Sequence, residues 1–201
     1  FYPLRPFDGR TAVIKGEQTG VSCVALPPEL PPSSTSKEGH LPASWAVSGG
    51  HDGAMCVWDT ESAALVQRSM LGGMGGRTMS GKKSKKHAAW VMAVEIGYET
   101  SAAGARPIVL SANADGELLL WAPRTAAGGD DAVLICLTQL RGAGGLTSPL
   151  QTAALSADAT CVAAGFADGG LSVWRAPSAS RFETDAEPTQ PRTSPPALSL
   201  I

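Results

Sequence analysis

The chain has 201 residues and a formal net charge of −2 at pH 7, so no global cationic excess draws it to nucleic acid or to an anionic membrane surface. Apolar residues make up 43%, enough for a buried core, and no run approaches the roughly 18 apolar residues that a spanning helix needs. With 23 glycines and 15 prolines, the composition favours many turns and few helices.

In chain order, residues 11–15 form an isolated β-like run. Strands are then predicted at 21–26, 45–48, 54–58 and 64–69, at 90–96, 107–112, 117–121 and 132–140, and at 150–155, 160–165 and 170–174. A last strand, around 181–184, is weak. From residue 176 onward Pro, Ser and Thr dominate, and a disordered tail is expected. The sequence starts at Phe1 without an apolar signal segment, which fits a piece of a longer product.

The strand placement is keyed to a motif that occurs three times, Asp-Gly-x4-Trp. It reads Asp52-Gly53 to Trp58, Asp115-Gly116 to Trp121, and Asp168-Gly169 to Trp174. Asp-Gly between two apolar runs is a tight-turn signal, because Gly takes positive φ and Asp bonds nearby backbone amides. The strand after the second turn, Leu118-Leu119-Leu120-Trp121, is apolar on both faces, so its sheet must be covered on both sides. An internal repeat of this kind decides the architecture before any local propensity does.

These hairpins resemble those of the WD-repeat family of β-propellers, whose blades are four antiparallel strands with a Trp closing the third. Trp58-Asp59 matches the family's dipeptide; Trp121-Ala122 and Trp174-Arg175 do not. The resemblance implies a structural tetrad of His, Ser or Thr, Asp and Trp. The middle copy supplies all four from His87, Ser111, Asp115 and Trp121. The first supplies Ser48, Asp52 and Trp58, with Glu17 at the His position. The third supplies Asp168 and Trp174, with Ala164 and Leu146 in place of Ser and His.

The expected fold is therefore all-β: an incomplete propeller of about three four-stranded antiparallel blades over residues 1–175, with boundaries near 17–70, 87–141 and 146–184 and a tail at 176–201. The motif tryptophans lie farther apart than the about 40–45 residues of a WD repeat, so insertions are expected at 27–42, 71–86 and 98–106. Propellers close with about four to eight blades. The run at 11–15 stands where the outermost strand of a preceding blade would stand. Further blades from the same full-length chain, or from partner chains, are the expectation.

Other motifs have weaker content. Ser111, His87 and Asp115 are also the residue types of a hydrolytic triad, but no nucleophile elbow surrounds them. Residues 76–83 nearly match a phosphate-binding loop, with Lys83 where the magnesium-binding hydroxyl belongs. Lys82, Lys83, Lys85 and Lys86 form a basic cluster, a candidate contact patch or nuclear import signal that also reads as a solvated linker. Cys23, Cys56, Cys136 and Cys161 fall singly in apolar runs and read as small buried hydrophobes of a reducing compartment, not as zinc ligands or disulfides. His40 and His51 read as solvent-facing loop residues, and Trp45 and Trp90 as core aromatics.

The resemblance implies a non-enzymatic, intracellular protein-interaction scaffold that assembles multiprotein complexes. No catalytic residue, cofactor or metal is expected; the partners are proteins or peptides held on loops, with no membrane and no nucleic acid. Cytoplasm is the expected compartment, with the nucleus as the alternative that the basic cluster raises. The alternative function is a propeller segment of a larger enzyme or trafficking regulator whose catalytic domain lies outside these residues.

Overall fold

A computed structural model describes residues 18–28, 45–71, 89–101, 104–125, 132–140 and 148–178. The run at 11–15, Glu17, His87, Leu146, the Lys82–Lys86 cluster and the weak strand at 181–184 lie outside the described residues.

Eleven strands are described, in three antiparallel meanders. The first sheet is β1 (Val21–Ala25), β2 (Trp45–Gly50), β3 (Ala54–Asp59) and β4 (Ala64–Met70). The second is β5 (Val91–Ser101), β6 (Gly104–Asn113), β7 (Leu118–Thr125) and β8 (Ala132–Leu140). The third has three strands among the described residues, β9 (Leu150–Leu155), β10 (Cys161–Phe166) and β11 (Leu171–Arg175).

Each Asp-Gly motif forms the tight turn between the second and third strands of its sheet. Gly53, Gly116 and Gly169 take φ of 75°, 82° and 83°, the left-handed region that a Cβ disfavours. Their amides close the turns on the carbonyls of Gly50, Asn113 and Phe166 at 3.0–3.1 Å.

The insertion expected at 98–106 is strand at 98–101 and 104–106. It extends β5 and β6 into a longer hairpin, paired from Tyr98↔Pro107 to Ser101↔Gly104, with Gly104 at φ 122°. Burial explains the difference: Tyr98 and Ala105 are buried, and the Tyr98 amide donates to the Ala157 carbonyl of the third sheet at 2.8 Å.

The first strands of the sheets run side by side, β1 against β5 and β5 against β9, while the outer strands β4 and β8 barely touch. The sheets therefore spread from a shared inner edge as blades. Val47, Met55 and Val57 of the first blade bury against Val94, Val109 and Trp121 of the second. Leu110, Ala112, Leu118 and Leu120, on the second blade's other face, bury against Val162, Ala164, Phe166 and Trp174 of the third. The middle blade is thus covered on both faces, as its two-sided apolar strand requires. Two of the tryptophans face the preceding blade: Trp121 the first, Trp174 the second.

Two side-chain devices tie the first blade to the second. The single Ser22 hydroxyl proton lies between the Gly49 carbonyl of its own sheet and the Val91 carbonyl of the next, both within hydrogen-bond reach of Oγ. At the outer edge the Gln67 amide pairs with the backbone of Leu134, donating to its carbonyl at 2.8 Å and accepting from its N–H at 2.7 Å. This satisfies one donor and one acceptor of β8 as a neighbouring strand would.

Candidate interaction surface

One end of the blades gathers the three Asp-Gly turns and the segments that enter β1, β5 and β9. Backbone bonds stitch this end together within the second and third blades and, through Leu150 and Ala114, between them. The Ala114 amide donates to Trp90 O at 2.8 Å, Leu150 N to Ala114 O at 3.2 Å, and Ala167 N to Pro149 O at 3.0 Å. Asp52, Asp115, Glu117 and Asp168 are carried there on a rigid frame, the usual setting for binding loops.

In the first blade, Trp58 Nε1 donates to Ser48 Oγ at 2.7 Å, and Ser48 is buried. The side chain that reaches this pair from ahead of β1 is Gln18. Ser48 Oγ donates to Gln18 Oε1 at 2.5 Å, and Gln18 Nε2 donates to the Ala54 carbonyl at 2.8 Å. Asp52 accepts from the Ala54 amide at 3.1 Å and the Thr19 amide at 3.3 Å, and pairs with Arg68 at 3.0 Å. In the second blade, Trp121 Nε1 donates to Ser111 Oγ at 2.8 Å, and Ser111 is fully buried. A nucleophilic hydroxyl needs access to substrate, and this one has none. Here the amide of Glu117 donates to Asn113 Oδ1 at 3.0 Å. In the third blade, Asp168 accepts from the Gly170 amide at 2.8 Å, and its own amide donates to Ser148 Oγ at 3.0 Å.

Trp174 differs from the other two. It is 1% exposed, Ala164 stands where Ser48 and Ser111 stand, and its indole N–H meets no acceptor among the described residues. An unmet buried donor costs about 1–3 kcal/mol. Ala164→Ser is therefore expected to raise stability by about 1 kcal/mol, read as a melting temperature higher by about 2–4 °C. An unchanged or lower melting temperature would count against an indole lacking its acceptor.

Burial alone would push the Asp52 carboxyl up, but the Ala54 amide, Arg68 and the Thr19 amide outweigh it and hold it below the ordinary carboxylate value. A depressed folded value means that the charged group stabilises the fold above its unfolded pKa of about 3.9. That contribution is lost as pH falls through the lowered folded value. Wild type is expected to exceed Asp52→Asn in urea midpoint at neutral pH, with the gap closing on acidification below about pH 4. A gap that persists undiminished at pH 2 would contradict the assignment.

Trp45 is a core residue, 6% exposed, but Trp90 is not. It lies just ahead of β5 and is 54% exposed, because the strand begins one residue later and the indole projects from the end of the sheet. Its ring stacks on His51, with centroids 4.1 Å apart and planes 15° from parallel. His51 sits on the first blade's Asp-Gly turn, so the stack bridges two blades. It packs over Gly20, where a Cβ would lie 2.7 Å from its Nδ1.

Three antiparallel sheets that fan from one inner edge, the second and third with the turn tryptophan on the face toward the preceding sheet, make an open, incomplete β-propeller. Residues 9–59, a span that takes in β1 to β3, match the family model of the WD domain, G-beta repeat. Among solved structures, the chain is similar to the β-propeller domain of Myceliophteria thermophila Cps50 (Swd1), at 12% identity and a TM-score of 0.47. The alignment covers 77% of this chain and 37% of that one, so the chain spans little more than a third of its length. Comparison with proteins of curated function finds no match.

Proposed function

We propose that the chain is a non-enzymatic scaffold that holds other proteins or peptides on the turn end of its blades. A WD repeat supports a protein-interaction role in general; the assembly of particular complexes is the finer reading. The observation that carries it is Trp90. A half-exposed indole, held against His51 where two blades meet, gains free energy when a partner covers it, and tryptophan is a frequent anchor of protein interfaces. The acidic turn residues at the same end favour a partner with basic side chains. Among the described residues no helix is long and apolar enough to cross a membrane. The Lys82–Lys86 cluster is a second candidate contact, on the connection between the first two blades.

The test compares affinity capture from the source cells with wild type and with Trp90→Ala. The reading expects a stoichiometric protein partner that the variant loses while its urea midpoint stays unchanged. Equal recovery by both, or no stoichiometric partner for either, would overturn it.

A further inference from the structure

The second and third blades are fastened to each other at the end opposite the Asp-Gly turns, and the fastening finishes on a serine. There β5 and β6 run on as a hairpin beyond the pairs that β6 makes with β7. Gly97 lies close against the Ser156 and Ala157 carbonyls, and the Tyr98 amide donates to Ala157 O at 2.8 Å. The segment leaving β11 adds a third link. Ala176 N donates to Thr160 O at 2.7 Å within the third blade, and two residues later Ser178 Oγ donates to Glu99 Oε1 on the hairpin. Ser178 is exposed, Glu99 is half-buried, and residues 176–178 belong to no strand.

These features suit a protein kinase that reads basic substrates. The hydroxyl is at the surface. Pro177 has no N–H to commit to a ladder, so the segment carrying Ser178 is not bound into the sheet. Arg175, exposed at the end of β11, offers a cation three residues before the hydroxyl, within reach of an acidic subsite on the kinase. We propose that Ser178 is a phosphorylation site and that the phosphate undoes its link to the hairpin. A kinase transfers the γ-phosphoryl group of a nucleoside triphosphate to Ser178 Oγ, the hydroxyl proton passes to the kinase's base, and the nucleoside diphosphate leaves. Oγ then has no proton to donate, and the Glu99 carboxylate can only accept. The phosphate brings a charge of about −1.5 to −2 at pH 7 against that carboxylate, and like charges drive the two apart. Arg106, the cross-strand partner of Glu99, is the cation at hand. Glu99 already holds the contact with Oγ, so the phosphate meets the carboxylate first. The inference stands apart from the scaffold reading.

The test treats the whole chain with ATP and a serine kinase of basic specificity, in wild type, Ser178→Ala, Arg175→Ala and Glu99→Gln. Mass spectrometry is expected to place a phosphate on Ser178 of wild type, with Arg175→Ala slowing its addition about tenfold through the lost charge-assisted contact. Amide hydrogen exchange at Tyr98, Glu99 and Ala176 is then expected to quicken about fivefold in wild type as the link opens. Ser178→Ala should show no such change on treatment. Glu99→Gln should take up phosphate without faster exchange, because the glutamine amide can donate to it. Wild type without phosphate on Ser178, or a rate indifferent to Arg175→Ala, overturns the proposal. So does exchange that is unchanged or slower after phosphorylation, as when Arg106 captures the phosphate, or that quickens equally in Glu99→Gln. Partner capture through Trp90 is read separately and bears only on the scaffold role.

Discussion

Trp121→Ala is expected to lower stability by about 3–5 kcal/mol, the range for truncating a buried large aromatic. Trp121 is 7% exposed and packs in the core shared by the first two blades, with Met55 and Val57 across from it. Its removal leaves a cavity at that interface. It also strips the donor from Ser111 Oγ, a fully buried hydroxyl. Trp121→Phe separates the two contributions: it keeps most of the volume and loses the hydrogen bond, for a cost of about 1–3 kcal/mol. Trp90→Ala, at a residue 54% exposed, is the control and is expected to change the urea midpoint little. If Trp121→Ala were as mild as Trp90→Ala, Trp121 would not be the wedge between blades.

Gly97→Ala is the second large effect. Gly97 lies on β5 where the second blade meets the third. A Cβ there would stand 2.6 Å from the Ser156 carbonyl oxygen and 3.3 Å from that of Ala157. Both obstacles are backbone, so no rotamer change relieves them. The blades must separate, which strains the neighbouring bond from Tyr98 N to Ala157 O. The expected cost is about 1–3 kcal/mol, as for other overpacked sites. Gly165→Ala is the matched control, since its Cβ would meet only the Thr152 methyl at 3.2 Å, an exposed side chain free to move. Equal urea midpoints for the two variants would contradict so close an approach of the blades.

The fold was legible because its signal is local and repeated. Asp-Gly fixes a turn through backbone conformation alone, and three copies at one offset from a tryptophan fix three hairpins. The face assignments followed from alternation, which is why the two-sided Leu118–Trp121 strand announced a covered sheet. What was missed depends on contacts between blades. Tyr98 and Ala105 look like part of an insertion until the third sheet is there to bury them. Trp90 looks like a core residue because it adjoins an apolar strand, and only the position of the strand end puts it outside. Gln18 and Gln67 carry no sequence signal for their roles. A glutamine that caps Ser48, or one that pairs with the Leu134 backbone, is defined by what stands opposite it. Ala164 beneath Trp174 was visible in the sequence as a departure from the serine pattern, and the unmet indole follows directly from it.

The account stands on sheets that fan out with the second and third turn tryptophans lodged against the preceding blade. The most direct measurement is the set of nuclear Overhauser contacts made by the indole rings in solution. The Trp121 ring is expected to connect to methyl groups of Val47, Met55 and Val57 in the first sheet, and the Trp174 ring to those of Leu118 and Leu120 in the second. Indole contacts confined to each ring's own sheet, or helical contact patterns through Trp58, Trp121 or Trp174, would contradict it.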